Sequence, residues 1–247
     1  MKKLKAVFVF LLFLSSCFSA RAQTAAASAE QSPEAWLLKK GYELLDVLSI
    51  EETKARYLKL RRIAKEVFNQ KEMPRLVMGK NWKNMSVEQQ EALQLIFFDY
   101  FVVTYGSSSF SFRGVSLQVS EKVPAGKDIL LKTKIKLKDE EQLYQSVKSI
   151  QAQFGSGQKE DQEPSSQAED GDFEILFALR KKQGGYYIRD AKFEGQSIIM
   201  FLRDQIEKEY KRASYDTDVF LEAMRQKINN RYRAAEDLAQ KQKDKKK

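Results

Sequence analysis

Ile129-Leu130-Leu131-Lys132-Thr133-Lys134-Ile135-Lys136-Leu137-Lys138 is the stretch that decides the fold class. From Leu131 onward, apolar or threonine side chains alternate with lysines. A period of two puts one set on a buried face and the other in water, so the segment reads as a strand with one wet, basic face. The lysines either line an open sheet face or blunt a sheet edge. Upstream, Phe110, Phe112, Val115, Leu117 and Val119 alternate too, with a slip at Arg113-Gly114 that predicts a bulge. Val123-Pro124-Ala125-Gly126 reads as the turn between the two strands. Downstream, Phe173 to Leu179 and Tyr186 to Phe193 form a second pair around Gly184-Gly185. Two sequential pairs predict an antiparallel sheet of about four strands.

Helical periodicity flanks the strands. Ser32-Pro33-Glu34 opens a helix with Trp36, Leu37, Tyr42, Leu44, Leu45 and Leu48 on its apolar side. Ser49 with Glu52 predicts a capping box for the next helix. One face of that helix carries Lys54, Arg56, Lys59, Arg61, Arg62 and Lys65, which read as a solvated face or as a contact for anionic groups. Met73-Pro74 starts a short helix that Gly79 ends, and Trp82 follows in a tight connection. Ser86 with Gln89 caps a long helix reaching Tyr105. Beyond Leu93 that helix is apolar nearly all round, so it must be covered on more than one side, of which a sheet supplies one. Residues 139–154 read as amphipathic helix, and 155–171 as a polar, acidic loop. Helices from Ser197 and around Val219 to Ile228 close the body. The class is α+β: several helices on a twisted antiparallel sheet.

Of the 247 residues, 43 are Lys or Arg and 34 are Asp or Glu, giving a formal net charge of +9. The excess sits at the ends. Lys2, Lys3, Lys5 and Arg21 stand without an acid in residues 1–22, and Lys241 to Lys247 holds five Lys against Asp244. The body between is close to neutral, which argues against a nucleic-acid partner. Residues 1–22 read as an export signal: a basic start, an apolar run from Ala6 to Leu14, and Ala20-Arg21-Ala22 as cleavage site. Leu14-Ser15-Ser16-Cys17 is the alternative, a lipoprotein box that would anchor the chain through Cys17. The expected location is the periplasm. Residues 23–32 read as a flexible lead-in, 33–230 as the domain, 139–171 as an insertion within it and 231–247 as a basic tail.

Chemistry is narrowed by what is missing. The chain has no His and one Cys. That excludes His-dependent triads and His-ligated metals, and leaves no disulfide. No metal site and no catalytic residue is expected. Asp190, Glu194 and Arg203 could in principle do acid–base work; the plainer reading is an Asp190–Arg203 ion pair with Glu194-Gly195 shaping a turn. Ser197 reads as an N-cap.

Several motifs come in a fixed order. They are Met73-Pro74 through Gly79-Lys80-Asn81-Trp82, then Ser86-Val87-Glu88-Gln89, then the aromatic helix Phe97 to Tyr105, then the strand pair. Last comes Asp190-Ala191-Lys192-Phe193-Glu194-Gly195-Gln196-Ser197 followed by a helix with Arg203. This order resembles the MlaC, or toluene-tolerance auxiliary, family from about residue 34 to 228. The resemblance implies a monomeric, non-enzymatic phospholipid carrier, with lipid as cargo and no cofactor. It also implies an MlaA-like outer-membrane lipoprotein complex and an MlaD-like MCE protein of an inner-membrane ABC transporter as partners. Acyl chains would lie in an apolar cavity between helices and sheet. The expected lining is Phe97, Phe101, Tyr105, Val115, Leu117, Leu131, Ile135, Phe177, Ile188, Ile198 and Phe201, with Trp82, Asp190, Glu194, Gly195 and Arg203 as structural residues. Each apolar residue could equally be ordinary core. A periplasmic chaperone for unfolded envelope proteins is the competing function.

Overall fold

The computed structural model describes residues 31–106, 115–136, 173–193 and 195–244. The expectations for 1–30, for the Arg113-Gly114 bulge, for Glu194 and for 139–171 lie outside these residues. Six helices and five strands run in the order α1 (Pro33–Leu48), α2 (Thr53–Val67), α3 (Glu72–Met78), a 3-10 turn (Gly79–Asn84), α4 (Val87–Tyr105), β1 (Ser116–Ala125), β2 (Asp128–Lys136), β3 (Phe173–Lys182), β4 (Gly185–Phe193), β5 (Gln196–Ser197), α5 (Ile198–Arg212) and α6 (Thr217–Asp244).

The strands form one sheet in sequence order, antiparallel throughout. The fifth strand, two residues long, joins the four that the periodicity indicates. β1 runs on to Ala125, so the turn contracts to Gly126-Lys127, with Gly126 at φ 64°. A bulge falls between Val119 and Glu121. β2 lies between β1 and β3, so its lysines blunt no edge. They face out on the sheet, where Lys132 pairs with Glu174 at 3.0 Å.

Helix ends follow local chemistry. Ser86 and Gln89 exchange the expected capping-box bonds. At α2 the cap is Glu52 itself, which accepts from Lys54 N and Ala55 N at 2.9 and 2.8 Å. Ser49 turns back to donate to Leu45 O. A carboxylate at the N-cap gains from the helix dipole as well as the hydrogen bonds, which explains why Glu52 takes the position. α6 continues to Asp244, through the stretch read as a tail. Its residues are good helix formers, and Tyr232 and Ala235 give the extension an apolar side. Ala235 is buried, and Tyr232 meets the Tyr57 ring edge-on at 5.5 Å.

Two apolar clusters hold the domain. The first joins α3, α4, α5 and α6 through residues such as Val77, Leu93, Phe98, Leu202 and Phe220. The second joins α1, α2 and the end of α4 to the sheet through Trp36, Tyr57, Val103, Leu131 and Leu179. Helix α4 is thus covered mainly by other helices, and at its C-terminal end Val102 and Val103 are buried in the sheet-side cluster. Phe68 and Phe101 pack against both clusters.

The basic row of α2 resolves residue by residue. Arg56 is buried, with only 1% of its surface exposed. Its guanidinium donates to Gly106 O at 2.9 Å, to Ile50 O, to Glu51 O at 3.1 Å and to Thr53 Oγ1 at 3.3 Å. Lys54 pairs with Glu236 and Arg61 with Asp99. Helical periodicity places Arg56 among its charged neighbours but cannot show that the α1–α2 link and Gly106 surround it with carbonyls.

Candidate functional site: the half-covered end of the sheet

Alternation puts Ile129, Leu131, Thr133 and Ile135 of β2 on one face, with Leu179, Phe177 and Ile175 of β3 opposite the first three. The same rows continue to Leu117 and Val119 on β1, and to Ile188, Ala191 and Phe193 on β4. This face points toward the helices, and its two ends differ. Toward the β1–β2 and β3–β4 turns Leu131 and Leu179 are fully buried and Ile188 nearly so, with Ile129 half-buried beside them. Toward the other end, Leu117, Ile135, Ile175, Phe177 and Phe193 are only half-buried.

Half-buried apolar residues from the helices lie at that end too. They are Phe101 and Tyr105 at the end of α4, and Ile198 and Phe201 at the start of α5. Tyr105 links the two helices, its ring 5.1 Å from Phe101 and 6.1 Å from Phe201. Burial, reinforced by the Glu209 charge, pushes the Tyr105 hydroxyl up to about 12. It stays neutral at physiological pH, so the patch carries no charge there. Within the sheet, Thr133 Oγ1 is buried without a hydrogen-bond partner.

The eleven expected lining residues therefore divide. Phe97, Leu131 and Ile188 are buried in the two clusters. Phe101, Tyr105, Val115, Leu117, Ile135, Phe177, Ile198 and Phe201 are half-buried. Ile175, Thr133 and Phe193 share the same sheet face. Strand alternation alone contained the signal for Ile175 and Phe193.

The structural residues behave differently from one another. Asp190 and Arg203 do not form the expected ion pair. Asp190 Oδ1 accepts from Ala191 N at 2.9 Å and Ile199 N at 3.3 Å, which ties the start of α5 to β4. Arg203 reaches Leu76 O instead, with Nη2 at 2.7 Å. The C-terminal carbonyls of α3 lack helical partners and draw the guanidinium. Gly195 adopts φ 79° in the turn into β5. Ser197 accepts from Met200 N as the α5 cap. Trp82 sits in the 3-10 turn and packs on the first cluster.

Asp190, Arg203 and Ser197 are each engaged by backbone groups. What this face offers a ligand is apolar area and shape. Among the described residues no group of three acidic, Cys or His side chains could hold a metal ion. Among the same residues, no helix is long and apolar enough to cross a membrane.

Together these features define an α+β protein in which, among the described residues, helices bury one end of the inner face of an antiparallel sheet and leave the other end half-buried. Residues 43–148 match the family model described as MlaC protein, which bears out the resemblance over the motifs from Met73 to Tyr105. The fold is also similar to a solved phospholipid-binding protein from Ralstonia solanacearum in complex with a phospholipid. The two are 11% identical, with a TM-score of 0.55, covering 81% of this chain and 99% of that one. At that identity the likeness is one of fold. No curated protein matches the chain.

Proposed function

We propose that the protein is a phospholipid carrier of the periplasm. The half-covered apolar end of the sheet beside the Tyr105–Phe201 contact carries this reading. Burial of acyl chains is worth about 0.8 kcal/mol per CH₂, so apolar area alone supplies affinity without directional contacts. The MlaC segment and the fold shared with a protein solved around a phospholipid support the same assignment.

In this reading residues 1–22 direct export, with Cys17 as an anchoring point if the lipoprotein box is used. The carrier acts as a monomer. It takes lipid from an MlaA-like outer-membrane complex or from an MlaD-like MCE protein, and yields it to the other. The lipid passes unaltered, so the activity is transport rather than turnover.

Native mass spectrometry of protein purified from a bacterial periplasm, with lipid extraction of the same sample, tests the proposal. A monomer carrying stoichiometric phospholipid is expected. A lipid-free oligomer that holds unfolded clients would replace the carrier reading with the chaperone reading.

A further inference from the structure

A cleft of about 270 Å³ lies on the helical layer where α4, α5 and α6 meet. Its polar groups are Tyr100, Glu209, Arg212 and Lys227, and alanines 213 and 223 keep it open. A second depression of about 540 Å³ adjoins it along α6, sharing Ala223 and Lys227 and adding Gln226, Asn230 and Arg231.

Lys227 lies on the wall between the two. It is half-buried, and its ammonium sits 4.7 Å from the centre of the Tyr100 ring and donates to the Tyr100 hydroxyl at 3.2 Å. Among the described residues, no carboxylate lies within ion-pair distance of it. Glu209 is committed to Arg212 at 2.8 Å. A lysine ammonium has three donors, and this one uses one of them on the protein. Burial and the charges of Arg231 and Arg212 lower its pKa, while Glu209 opposes the shift. Lys227 and Arg212 thus line the cleft beside one carboxylate, and Lys227 and Arg231 line the adjoining depression with the side-chain amides of Gln226 and Asn230.

We propose that a phosphate group binds at Lys227, on the wall shared by the two depressions, with Arg212 on the side of the cleft and Arg231 on the side of its neighbour. A phosphate offers several acceptor oxygens to donors placed around it, and charge-assisted bonds of this kind are the strong ones. The space, walled on its apolar side by Val219, Phe220 and Met224 and by two alanines, suits a group of that size rather than a folded acidic partner. The proposal does not depend on the carrier reading. The phosphate is either free or carried on a lipid headgroup.

The test uses the full chain without residues 1–22, labelled for NMR and titrated at constant ionic strength with inorganic phosphate or with dihexanoylphosphatidic acid below its micelle concentration. Amide shifts at 223–231 are expected with at least one probe. Shifts with inorganic phosphate identify a free-phosphate site; shifts with the lipid alone identify a headgroup site. Movement confined to 101–105 and 198–201 reports acyl binding and counts against the proposal. Lys227→Gln is expected to weaken binding by roughly tenfold or more. Arg212→Gln, at a side chain 73% exposed, gives the second reading should Lys227→Gln fail to fold. Absence of shifts at 223–231 with both probes, or equal affinity in the folded variants, overturns the assignment.

Discussion

Arg203 of α5 is the C-terminal cap of α3, with Nε and Nη2 both donating to Leu76 O at 3.2 and 2.7 Å. The same side chain lies where a Cβ on Gly79 would project, 3.0 Å from Nε. Gly79 holds φ 55° and ψ −123°, a backbone conformation open to glycine alone. Arg203→Ala is expected to cost about 1.5–3 kcal/mol. Gly79→Ala is expected to cost about 1–3 kcal/mol through backbone strain and displacement of Arg203. The double variant should cost less than the sum, because both changes disrupt one cap. Urea unfolding of the three variants measures this; strict additivity would show the two residues to be uncoupled.

Arg56 should be among the least replaceable charged residues. Arg56→Met keeps the volume but strips the hydrogen bonds from Gly106 O, Ile50 O and Glu51 O. A loss of about 3 kcal/mol or more is expected. Lys59→Met, at an exposed site on the same helix, should change stability by less than about 0.5 kcal/mol. Equal effects in thermal unfolding would contradict the buried role of Arg56.

Lipid retention should depend on the half-covered end and not on apolar surface in general. Phe201→Asp puts a charge beside Tyr105 and should abolish co-purifying phospholipid. Leu95→Asp, at a side chain 72% exposed on the same helical layer, should leave it unchanged. Phosphorus assay of purified protein reports both. Full lipid content in a folded Phe201→Asp variant would move the site elsewhere.

Thr133→Val should be neutral or stabilising. The buried Oγ1 has no hydrogen-bond partner, so the methyl group replaces a desolvated hydroxyl at nearly constant volume. A gain of up to about 1–2 kcal/mol is expected in chemical denaturation. A clear loss would mean that the hydroxyl contributes a bond in solution.

Glu66 accepts a hydrogen bond from Lys40 at 2.8 Å. That bond, opposed by partial burial and aided by the charges of Lys40, Arg62 and Lys182, holds its carboxyl below the ordinary value of 4.5. A depressed folded pKa adds stability that is fully present above 4.5 and fades as the pH falls through the folded value. The stability difference between the wild type and Glu66→Gln should therefore shrink on acidification below 4.5 and stay flat above it. A difference that grows toward acid would reverse the sign of the coupling.

Much of the fold was legible from local pattern. The lysine-spaced strand at 129–136, the Gly184-Gly185 hairpin, the Ser86–Gln89 box and the Ser197 cap all rest on interactions within a few residues, which sequence spacing encodes directly. The Asp190–Arg203 expectation failed for the opposite reason. Both residues satisfy backbone groups whose positions depend on how α3, α5 and β4 meet. A charge at a strand end suggested a pair, but unpaired carbonyls at a helix end compete for the same guanidinium.

The sequence by itself determined the α+β class, the pairing of adjacent strands, the absence of histidine chemistry and the MlaC resemblance, because composition and short-range periodicity carry them. Only the tertiary structure decided which apolar residues fill and which stand half-covered. Phe97 and Phe101 lie on one helix four residues apart, yet one is sealed in the helical cluster and the other stands half-buried between two clusters. Hydrophobicity drives both side chains from water with equal force. What lies across from each is set by the packing of α3, α5, α6 and the sheet, and no local pattern contains it.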